Sequence, residues 1–190
     1  MGEKRIADNI KKLRLAQGLS LEQVAKRTGL TRGYLSKIEN AHKVPKFSTL
    51  LKIAEGLGVD IASLIAEDGG SDACRGTKLS VVRAGEKSGR HRKDNSNDYF
   101  YEPLAFRMTG KNMEPFIVLP SFNNKDSISH EGEEFIYVLE GRWEFTYGDQ
   151  TYVLRKGDSI YFDSSVPHVG KSLGTERARV LAVLYPSKRS

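Results

Sequence analysis

Residues 20–40 constrain the fold most strongly, because they carry the start and stop signals of two short helices. Ser20 has the side chain of a helix N-cap, and Gln23 three positions later completes a capping box. Gly29 is a helix-ending residue, and Thr31 can cap a second helix directly after it. The segment therefore predicts two short helices that meet at a tight glycine turn.

The rest of the first 66 residues has apolar side chains at helical spacing, three and four positions apart. Glycine, serine and proline residues supply the boundaries of these further helices. The predicted flanking helices are a first one that ends at Gly18, a fourth one that is capped by Ser48 and ends at Gly58, and a fifth one over residues 60–65. This part of the chain is predicted to be an all-α bundle of five helices.

The second half of the chain changes to short β-prone runs separated by turn residues. Residues 67–78 are small, polar and without an apolar period, which is typical of a linker. Many short strands at close spacing favour an antiparallel sandwich or barrel. The predicted fold class is α+β in two domains, with a helical bundle over residues 1–66 and an antiparallel β-barrel over residues 79–190. The predicted strands are residues 99–101, 116–119, 135–139, 143–147, 152–154, 159–162 and 180–185.

The net charge is +6, and it is unevenly distributed along the chain. Residues 1–66 hold 12 Lys and Arg against 6 Asp and Glu, whereas residues 94–190 hold 11 against 14. A basic first half fits a polyanionic partner, although a solvated basic surface would give the same count. No apolar run approaches the ~18 residues of a membrane span, the N-terminus lacks a signal-peptide pattern, and the single cysteine, Cys74, allows no internal disulfide. We expect a soluble, cytoplasmic protein.

The second capped helix has the two faces that a DNA-reading helix needs. Leu35 and Ile38 would hold it on the bundle, which leaves the opposite face free for DNA. Arg and Lys side chains can donate to guanine O6 and N7, and Ser can contact a base edge or a phosphate. The predicted DNA-binding residues are Arg32, Gly33, Ser36 and Lys37 on this helix, Ser20 and Thr31 at the two helix starts, and Lys43 and Lys46 just beyond.

With these residues, the first domain resembles the helix-turn-helix domain of the XRE family of repressors over residues 6–66. The resemblance implies that the exposed side of the second capped helix reads bases. The alternative is a bundle that has lost DNA binding and only mediates assembly, and the retained Arg32 and Lys37 argue against it. The matching elements include Leu13-Arg14, Gly18-Leu19-Ser20, Thr28-Gly29, Tyr34-Leu35-Ser36-Lys37-Ile38-Glu39, Pro45 and Leu57-Gly58.

Two histidines and a carboxylate stand out in the second half, because the chain has only four histidines. His130 and Glu134 have the same parity, so both side chains can face one interior from adjoining strands. His168 follows later, after Pro167. Two imidazoles and a carboxylate form the facial triad that non-haem iron uses, and zinc or manganese also accepts such ligands. The three residues are a candidate site for a divalent metal (Fe, Zn or Mn).

The second domain resembles the cupin superfamily over roughly residues 98–186. Its two motifs are Ile128-x-His130-x3-Glu134-x6-Gly141 and Gly157-x5-Asp163-x-Ser165-x2-His168. Ile128 stands where many cupins have a further histidine ligand, so the resemblance implies at most three protein ligands. Two interpretations are open, namely a three-ligand metal centre and a metal-free cupin whose polar triplet hydrogen-bonds a small ligand. The predicted effector pocket consists of Tyr99, Tyr101, Ile128, His130, Glu134 and His168.

An XRE domain followed by a cupin domain resembles a widespread group of bacterial transcription regulators. The resemblance implies a cupin that binds a small-molecule effector, assists homodimer formation and modulates the contact with double-stranded DNA. The alternative is a mononuclear non-haem iron enzyme, because the architecture also resembles hydroxypropylphosphonic acid epoxidase. In that comparison His130, Glu134 and His168 match the iron ligands, but Gly18 and Ser127 stand where the epoxidase has a basic residue and a pocket asparagine. We therefore expect a regulator without enzymatic activity.

Overall fold

The computed structural model describes residues 2–43, 45–65, 77–84 and 100–186. The chain divides into two compact units, which we call the helical unit and the sheet unit. The helical unit comprises the described residues up to 84 together with residues 105–111, and the sheet unit comprises residues 100–104 and 112–186. Residues 67–76 of the predicted linker, with Cys74 among them, and Tyr99 lie outside the described residues. No described helix is long and apolar enough to cross a membrane.

The described part of the helical unit contains the five predicted α-helices. The capping box of α2 is present, since the Gln23 amide donates to Ser20 Oγ at 3.2 Å and the Ser20 amide donates to Gln23 Oε1 at 2.8 Å. Gly29 follows with φ 68°, a left-handed conformation that glycine adopts without strain. The helices are α1 Gly2–Ala16, α2 Leu21–Thr28, α3 Arg32–Glu39, α4 Phe47–Leu57 and α5 Ile61–Ile65.

The predicted cap of α4 is wrong. Ser48 lies inside the helix, and the N-cap is Lys46, whose side chain makes no capping hydrogen bond. The Lys46 carbonyl accepts the first helical bonds, from the Thr49 amide at 2.9 Å and the Leu50 amide at 3.0 Å. Packing of the apolar face of α4, rather than a side-chain cap, therefore sets where this helix begins.

Apolar side chains from all five helices form the core of the helical unit, and the Arg14–Glu39 pair is buried with them. The Arg14 guanidinium donates two hydrogen bonds to the Glu39 carboxylate, at 2.7 and 2.9 Å, and a third to the Leu19 carbonyl at 2.7 Å. These bonds join the end of α1, the turn after it and the end of α3. The buried apolar residues include Ala7, Ile10, Val24, Leu35, Ile38, Leu50, Ile53, Leu57, Ile61 and Leu64.

The described part of the sheet unit contains eight strands, all paired antiparallel, in two sheets. The strand order is β1-β2-β8-β3-β6 in the larger sheet and β5-β4-β7 in the smaller one. An antiparallel cupin-like domain is therefore confirmed, although its sheets stay open and do not close into a barrel. The strands are β1 Phe100–Pro103, β2 Glu114–Leu119, β3 Glu133–Glu140, β4 Arg142–Tyr147, β5 Gln150–Arg155, β6 Ser159–Asp163, β7 His168–Leu173 and β8 Arg179–Tyr185.

The strand β7 was not predicted, because its sequence His-Val-Gly-Lys-Ser-Leu lacks a run of β-prone residues. Pairing with β4 holds it in place, with Phe145 opposite Gly170 and Trp143 opposite Ser172. A Cβ added at Gly170 would overlap the indole of Trp143, so glycine is the residue that lets the indole lie against this strand. The conformation of β7 is thus determined by its neighbour in space.

Candidate functional site

Helix α3 turns opposite faces to the core and to solvent. Leu35 and Ile38 are buried in the helical unit, with 1% and 0% of their surface exposed. The four predicted base-reading residues lie on the remaining surface, and among them Ser36 is half-buried while the others are exposed. The cationic residues of α3 are therefore accessible. The four residues are Arg32, Gly33, Ser36 and Lys37.

The hydroxyls at the starts of α2 and α3 already serve as caps. Ser20 Oγ accepts from the Gln23 amide, and Thr31 Oγ1 accepts from the Tyr34 amide at 3.1 Å. Both residues are exposed. A phosphate at either helix start would therefore be bound mainly by first-turn amides, which point out of the helix and carry the positive end of its dipole.

The loop after α3 folds back onto this helix. Ala41 has a left-handed backbone conformation with φ 55°, and the His42 amide donates to the Lys37 carbonyl at 2.9 Å. The exposed ammonium of Lys43 lies 5.2 Å from the centroid of the Tyr34 ring, a cation–π distance. Lys46, the N-cap of α4, is also exposed. The loop thus presents two further cations.

Sequence reasoning missed Glu39 as a residue that positions α3, the helix predicted to read DNA. Its carboxylate lies at the end of α3 and holds the buried guanidinium of Arg14 by two parallel hydrogen bonds. That hydrogen bond and the nearby negative charge outweigh burial and raise the pKa of Arg14 above its ordinary value. A charged residue next to the buried Ile38 was the available signal, but it did not reveal the partner.

In the sheet unit, three residues from separate positions in the chain lie close together, namely His130, Glu134 and His168. His130 precedes β3, Glu134 lies within β3, and His168 begins β7. His130 Nε2 is 2.6 Å from Glu134 Oε1, and His168 Nε2 is 3.6 Å from the same oxygen. One donor atom from each residue lies within 4.8 Å of the others, a spacing that can hold a metal ion.

The backbone orients both imidazole rings. The Val166 carbonyl lies 2.9 Å from His168 Nδ1, and the Glu131 carbonyl lies 3.4 Å from His130 Nδ1. A carbonyl only accepts, so both contacts are hydrogen bonds when Nδ1 of each ring carries a proton. Each Nε2 then faces Glu134, and His130 Nε2 donates to the carboxylate when that ring is also protonated there. His168 Nε2 is buried without a hydrogen-bond partner among the described residues. Two oriented Nε2 atoms and a carboxylate fit a divalent metal, with carbonyls fixing the rings from behind.

Each residue of the triad changes the proton affinity of its neighbour. Burial lowers the pKa of His130, but the hydrogen bond and negative charge of Glu134 outweigh it, so the pKa lies above its ordinary value. Burial raises the pKa of Glu134, but the hydrogen bond with His130 and the electrostatic attraction of the two nearby imidazoles outweigh it and hold the pKa below its ordinary value. The carboxylate is therefore kept ionised, which is the form that binds cations.

Two other predicted pocket residues, Ile128 and Tyr101, lie in different surroundings. Ile128 is half-buried and pairs with His168 through two backbone hydrogen bonds of 2.9 Å. Tyr101 is half-buried in β1, with its ring edge-on to Phe116 at a centroid distance of 6.4 Å. The structure thus brings Ile128 beside the triad, and for Tyr101 it gives the ring contact with Phe116.

Aromatic rings that sequence reasoning missed pack against His168. The centroid of Phe162 lies 5.0 Å from that of His168, and the centroid of Phe145 lies 6.1 Å away. Both phenylalanines are buried. Alternation along β4 and β6 was the available signal for inward-facing rings. These rings keep water from one side of the imidazole and so strengthen its electrostatic interaction with Glu134.

An open cavity of about 390 Å³ lies next to the triad along the chain. None of the predicted pocket residues lines it. Its lining residues include three carboxylates, one hydroxyl and one phenol, so the cavity is negatively charged. The lining residues are Glu131, Gly132, Glu133, Asp163, Ser165 and Tyr185.

Two family models match the chain, one in each unit. The helix-turn-helix model matches residues 10–64, which include α2 and α3. The cupin domain model matches residues 117–184, which include His130, Glu134 and His168. The two resemblances inferred from the residues are therefore confirmed.

Known regulators match the chain over nearly its whole length. The HTH-type transcriptional regulator PuuR of Escherichia coli (strain K12) is 25% identical over 178 residues, which cover 94% of this chain and 93% of PuuR. The crystal structure of an HTH_3 family transcriptional regulator from Vibrio cholerae superposes with a TM-score of 0.66 at 26% identity, covering 99% of this chain and 98% of that chain.

An enzyme matches a shorter part of the chain. The (S)-2-hydroxypropylphosphonic acid epoxidase of Streptomyces wedmorensis is 30% identical over 102 residues, which cover 49% of this chain and 52% of the enzyme. The regulators match both units of this chain, including the helix-turn-helix unit. The chain is thus a DNA-binding transcriptional regulator of the helix-turn-helix type, which combines a helix-turn-helix domain with a cupin domain.

Proposed function

We propose that α3 enters the major groove and reads the operator with Arg32, Ser36 and Lys37. The observation that supports this proposal is the division of α3, in which Leu35 and Ile38 are buried while Arg32 and Lys37 are exposed. Side chains of arginine and lysine can donate to guanine O6 and N7, which are acceptors in the major groove. These two residues would carry most of the sequence selectivity.

The remaining predicted DNA-binding residues would position the helix. Gly33 would allow close approach, because it has no side chain between the helix and the bases. The helix starts at Ser20 and Thr31, together with Lys43 and Lys46, would hold phosphates on either side of the groove. Such contacts set orientation without reading sequence.

The test is binding to the DNA that flanks the gene of this protein, with a shuffled duplex of equal length as the control. We expect tighter binding to the flanking DNA and an affinity for both duplexes that falls steeply between low and high salt, because phosphate contacts release counterions. Fluorescence anisotropy at several salt concentrations measures both quantities. Equal affinity for the two duplexes at every salt concentration would contradict sequence-specific reading.

We also propose that the triad binds a divalent metal, iron, zinc or manganese, and that the ligated cupin domain modulates DNA binding. Support comes from the unpartnered Nε2 of His168, which lies 3.6 Å from Glu134 Oε1, and from the backbone carbonyls that orient both rings. A bound ion would supply a Lewis-acidic docking point for an oxygen or nitrogen donor of an effector. Ile128 and Tyr101 would contribute to the effector pocket.

The metal proposal is tested by titrating zinc into chelator-treated protein and measuring heat and bound metal. Glu134→Gln should abolish binding at one equivalent, because it removes the ionised ligand, whereas Glu133→Gln should retain it. Glu133 is the matched control, since it is the adjacent, exposed carboxylate in the same strand. Unchanged zinc affinity in Glu134→Gln would overturn the metal assignment and leave the alternative of a ligand that hydrogen-bonds the triad.

We propose that the regulator acts as a homodimer in the cytoplasm, the compartment that holds bacterial DNA. Two copies of α3 would read half-sites about one helical turn apart, ~34–36 Å, so a small rotation of one copy would spoil the register. Effector control would then require different affinities for two arrangements of the dimer. Sedimentation of the protein with and without DNA checks the stoichiometry, and one protein per operator would contradict the proposal.

A further inference from the structure

Residues 105–111 belong to the helical unit, although β1 precedes them and β2 follows them in the sheet unit. We propose that residues 105–111, which we call the coupling segment, transmit stability and ligand response from the sheet unit to the DNA-reading helical unit. The inference rests on the proposed effector control, because it names the route of that control. It adds a role for residues that neither the helix-turn-helix motif nor the cupin motifs contain.

A buried ionic contact anchors the coupling segment next to α5. Asp60 directly precedes α5 and is buried, and its Oδ2 accepts from the Gly110 amide at 2.8 Å. Lys111 Nζ lies 3.3 Å from the same oxygen, and its side chain is also buried. Lys111 donates as well to the Met108 carbonyl at 3.2 Å. Separating the segment from α5 would remove a buried cation and an amide donor from the Asp60 carboxylate, which is costly.

An apolar contact and two backbone contacts complete the anchor. Phe106 is buried against Ala62 of α5, and Val82 packs on the same cluster. The Arg107 guanidinium donates to the Val81 carbonyl, while the Arg107 carbonyl accepts from Thr77 Oγ1 at 3.0 Å. The coupling segment is therefore an integral part of the helical unit.

The base of the coupling segment is fixed in the sheet unit. Pro103 at the end of β1 pairs with Phe116 of β2, and the Leu104 amide donates to the Pro115 carbonyl at 2.9 Å. Strand β2 in turn pairs with β8 within the five-stranded sheet. Backbone pairing thus reaches Leu104, the residue that precedes the segment on the β1 side.

The two units should therefore stabilise each other. If the helices unfold, the segment loses its contacts with α5 and becomes an unanchored loop between β1 and β2. That loop then regains conformational entropy. Unfolding of β1 and β2 removes the pairing that closes the segment. Tyr101, a proposed effector residue, lies in β1, so ligand-dependent ordering of that strand would be passed to the anchor.

The chain provides a separate probe for each unit. Its single tryptophan, Trp143, lies buried in β4 of the sheet unit, and all described helices lie in the helical unit. In urea, tryptophan fluorescence therefore follows the sheet unit, while circular dichroism at 222 nm follows chiefly the helical unit. If the two units are coupled, a substitution that destabilises one of them also lowers the unfolding midpoint of the other.

The destabilising substitution is Ile53→Ala, which truncates a fully buried side chain of α4 outside the coupling segment. With the natural segment, we expect both unfolding midpoints to fall. With Phe106→Ala/Lys111→Ala, the same substitution should lower only the dichroism midpoint. Met113→Ala is the matched control, because Met113 is adjacent to the segment and 57% exposed, and it should leave both midpoints coupled. Ile53→Val replaces Ile53→Ala where the larger truncation prevents folding.

The proposal is overturned if Ile53→Ala leaves the fluorescence midpoint unchanged with the natural segment. It is also overturned if both midpoints still fall together in Phe106→Ala/Lys111→Ala. A second measurement compares DNA affinity with and without zinc, and the segment variant should bind zinc but lose its effect on DNA. If zinc changes the DNA affinity of neither the natural protein nor the segment variant, the proposed effector control is wrong. The unfolding data still decide whether the two units are coupled.

Discussion

The proposed DNA-reading face and the His130–Glu134–His168 triad are assembled in opposite ways. The DNA-reading face comes from one continuous stretch, α3 and the loop after it, between Thr31 and Lys46. The triad draws one residue from before β3, one from β3 and one from β7. The first depends on helix caps and helical periodicity, which are local, and the second depends on strand pairing between distant segments.

Even the face that is built from one local stretch depends on a distant contact. The caps at Ser20 and Thr31 lie within their own helices, but the end of α3 is held by Arg14 of α1. In the triad, by contrast, every residue owes its position to backbone pairing, as the Ile128–His168 bridge illustrates. The following substitutions test how far each half of the comparison holds.

The largest expected effect is that of Glu39→Ala on the helical unit. It leaves the buried guanidinium of Arg14 without its carboxylate, which should lower the free energy of unfolding by about 3–5 kcal/mol. Urea denaturation followed by circular dichroism measures the loss. Glu55→Ala, which removes an exposed carboxylate from α4, is the control and should have little effect. A small loss in Glu39→Ala would mean that α3 is positioned by local signals alone.

A smaller loss is expected for Gly170→Ala in the sheet unit. The added methyl group would overlap the indole of Trp143, and overpacking of this kind costs about 1–3 kcal/mol. The emission of Trp143 should shift as the ring is displaced from β4–β7 packing. If stability and emission both stay unchanged, the idea that a side chain from β4 selects glycine in β7 is wrong.

Gly33→Ala should separate the stability of α3 from its function. No atom lies within 4 Å of an added Cβ, so replacing a helical glycine should raise the free energy of unfolding by about 0.5–1 kcal/mol. The same methyl group would stand between the helix and the base edges, so operator affinity should fall. Tighter or equal DNA binding in this variant would refute close approach at Gly33.

The helical unit was largely predictable from sequence because its boundaries are encoded locally. The capping box at Ser20 and Gln23, the helix end at Gly29 and the cap at Thr31 were all predicted and confirmed. Ser48 was wrongly predicted as a cap, because packing of α4 outweighs capping chemistry at that end. Local signals thus fail where tertiary contacts determine the boundary.

The sheet unit was predictable in type but not in detail. Seven strands followed from β-prone runs, whereas β7 did not, because its partner β4 supplies the order that its own sequence lacks. Same parity did suggest His130 and Glu134 together, and their nitrogen–oxygen distance is 2.6 Å. No pattern in the sequence predicts the buried contact between Lys111 and Asp60, because 50 positions separate Asp60 from Gly110, the neighbour of Lys111.

The central claim is that the exposed cations of α3 read base pairs. The most direct measurement compares the affinities of Arg32→Ala and Lys37→Ala for the operator and for a shuffled duplex, with Lys156→Ala as a control that removes an exposed charge from the sheet unit. We predict that each α3 variant loses about 1–3 kcal/mol of discrimination between the two duplexes and that the control loses none. Unchanged discrimination in both α3 variants would contradict the account.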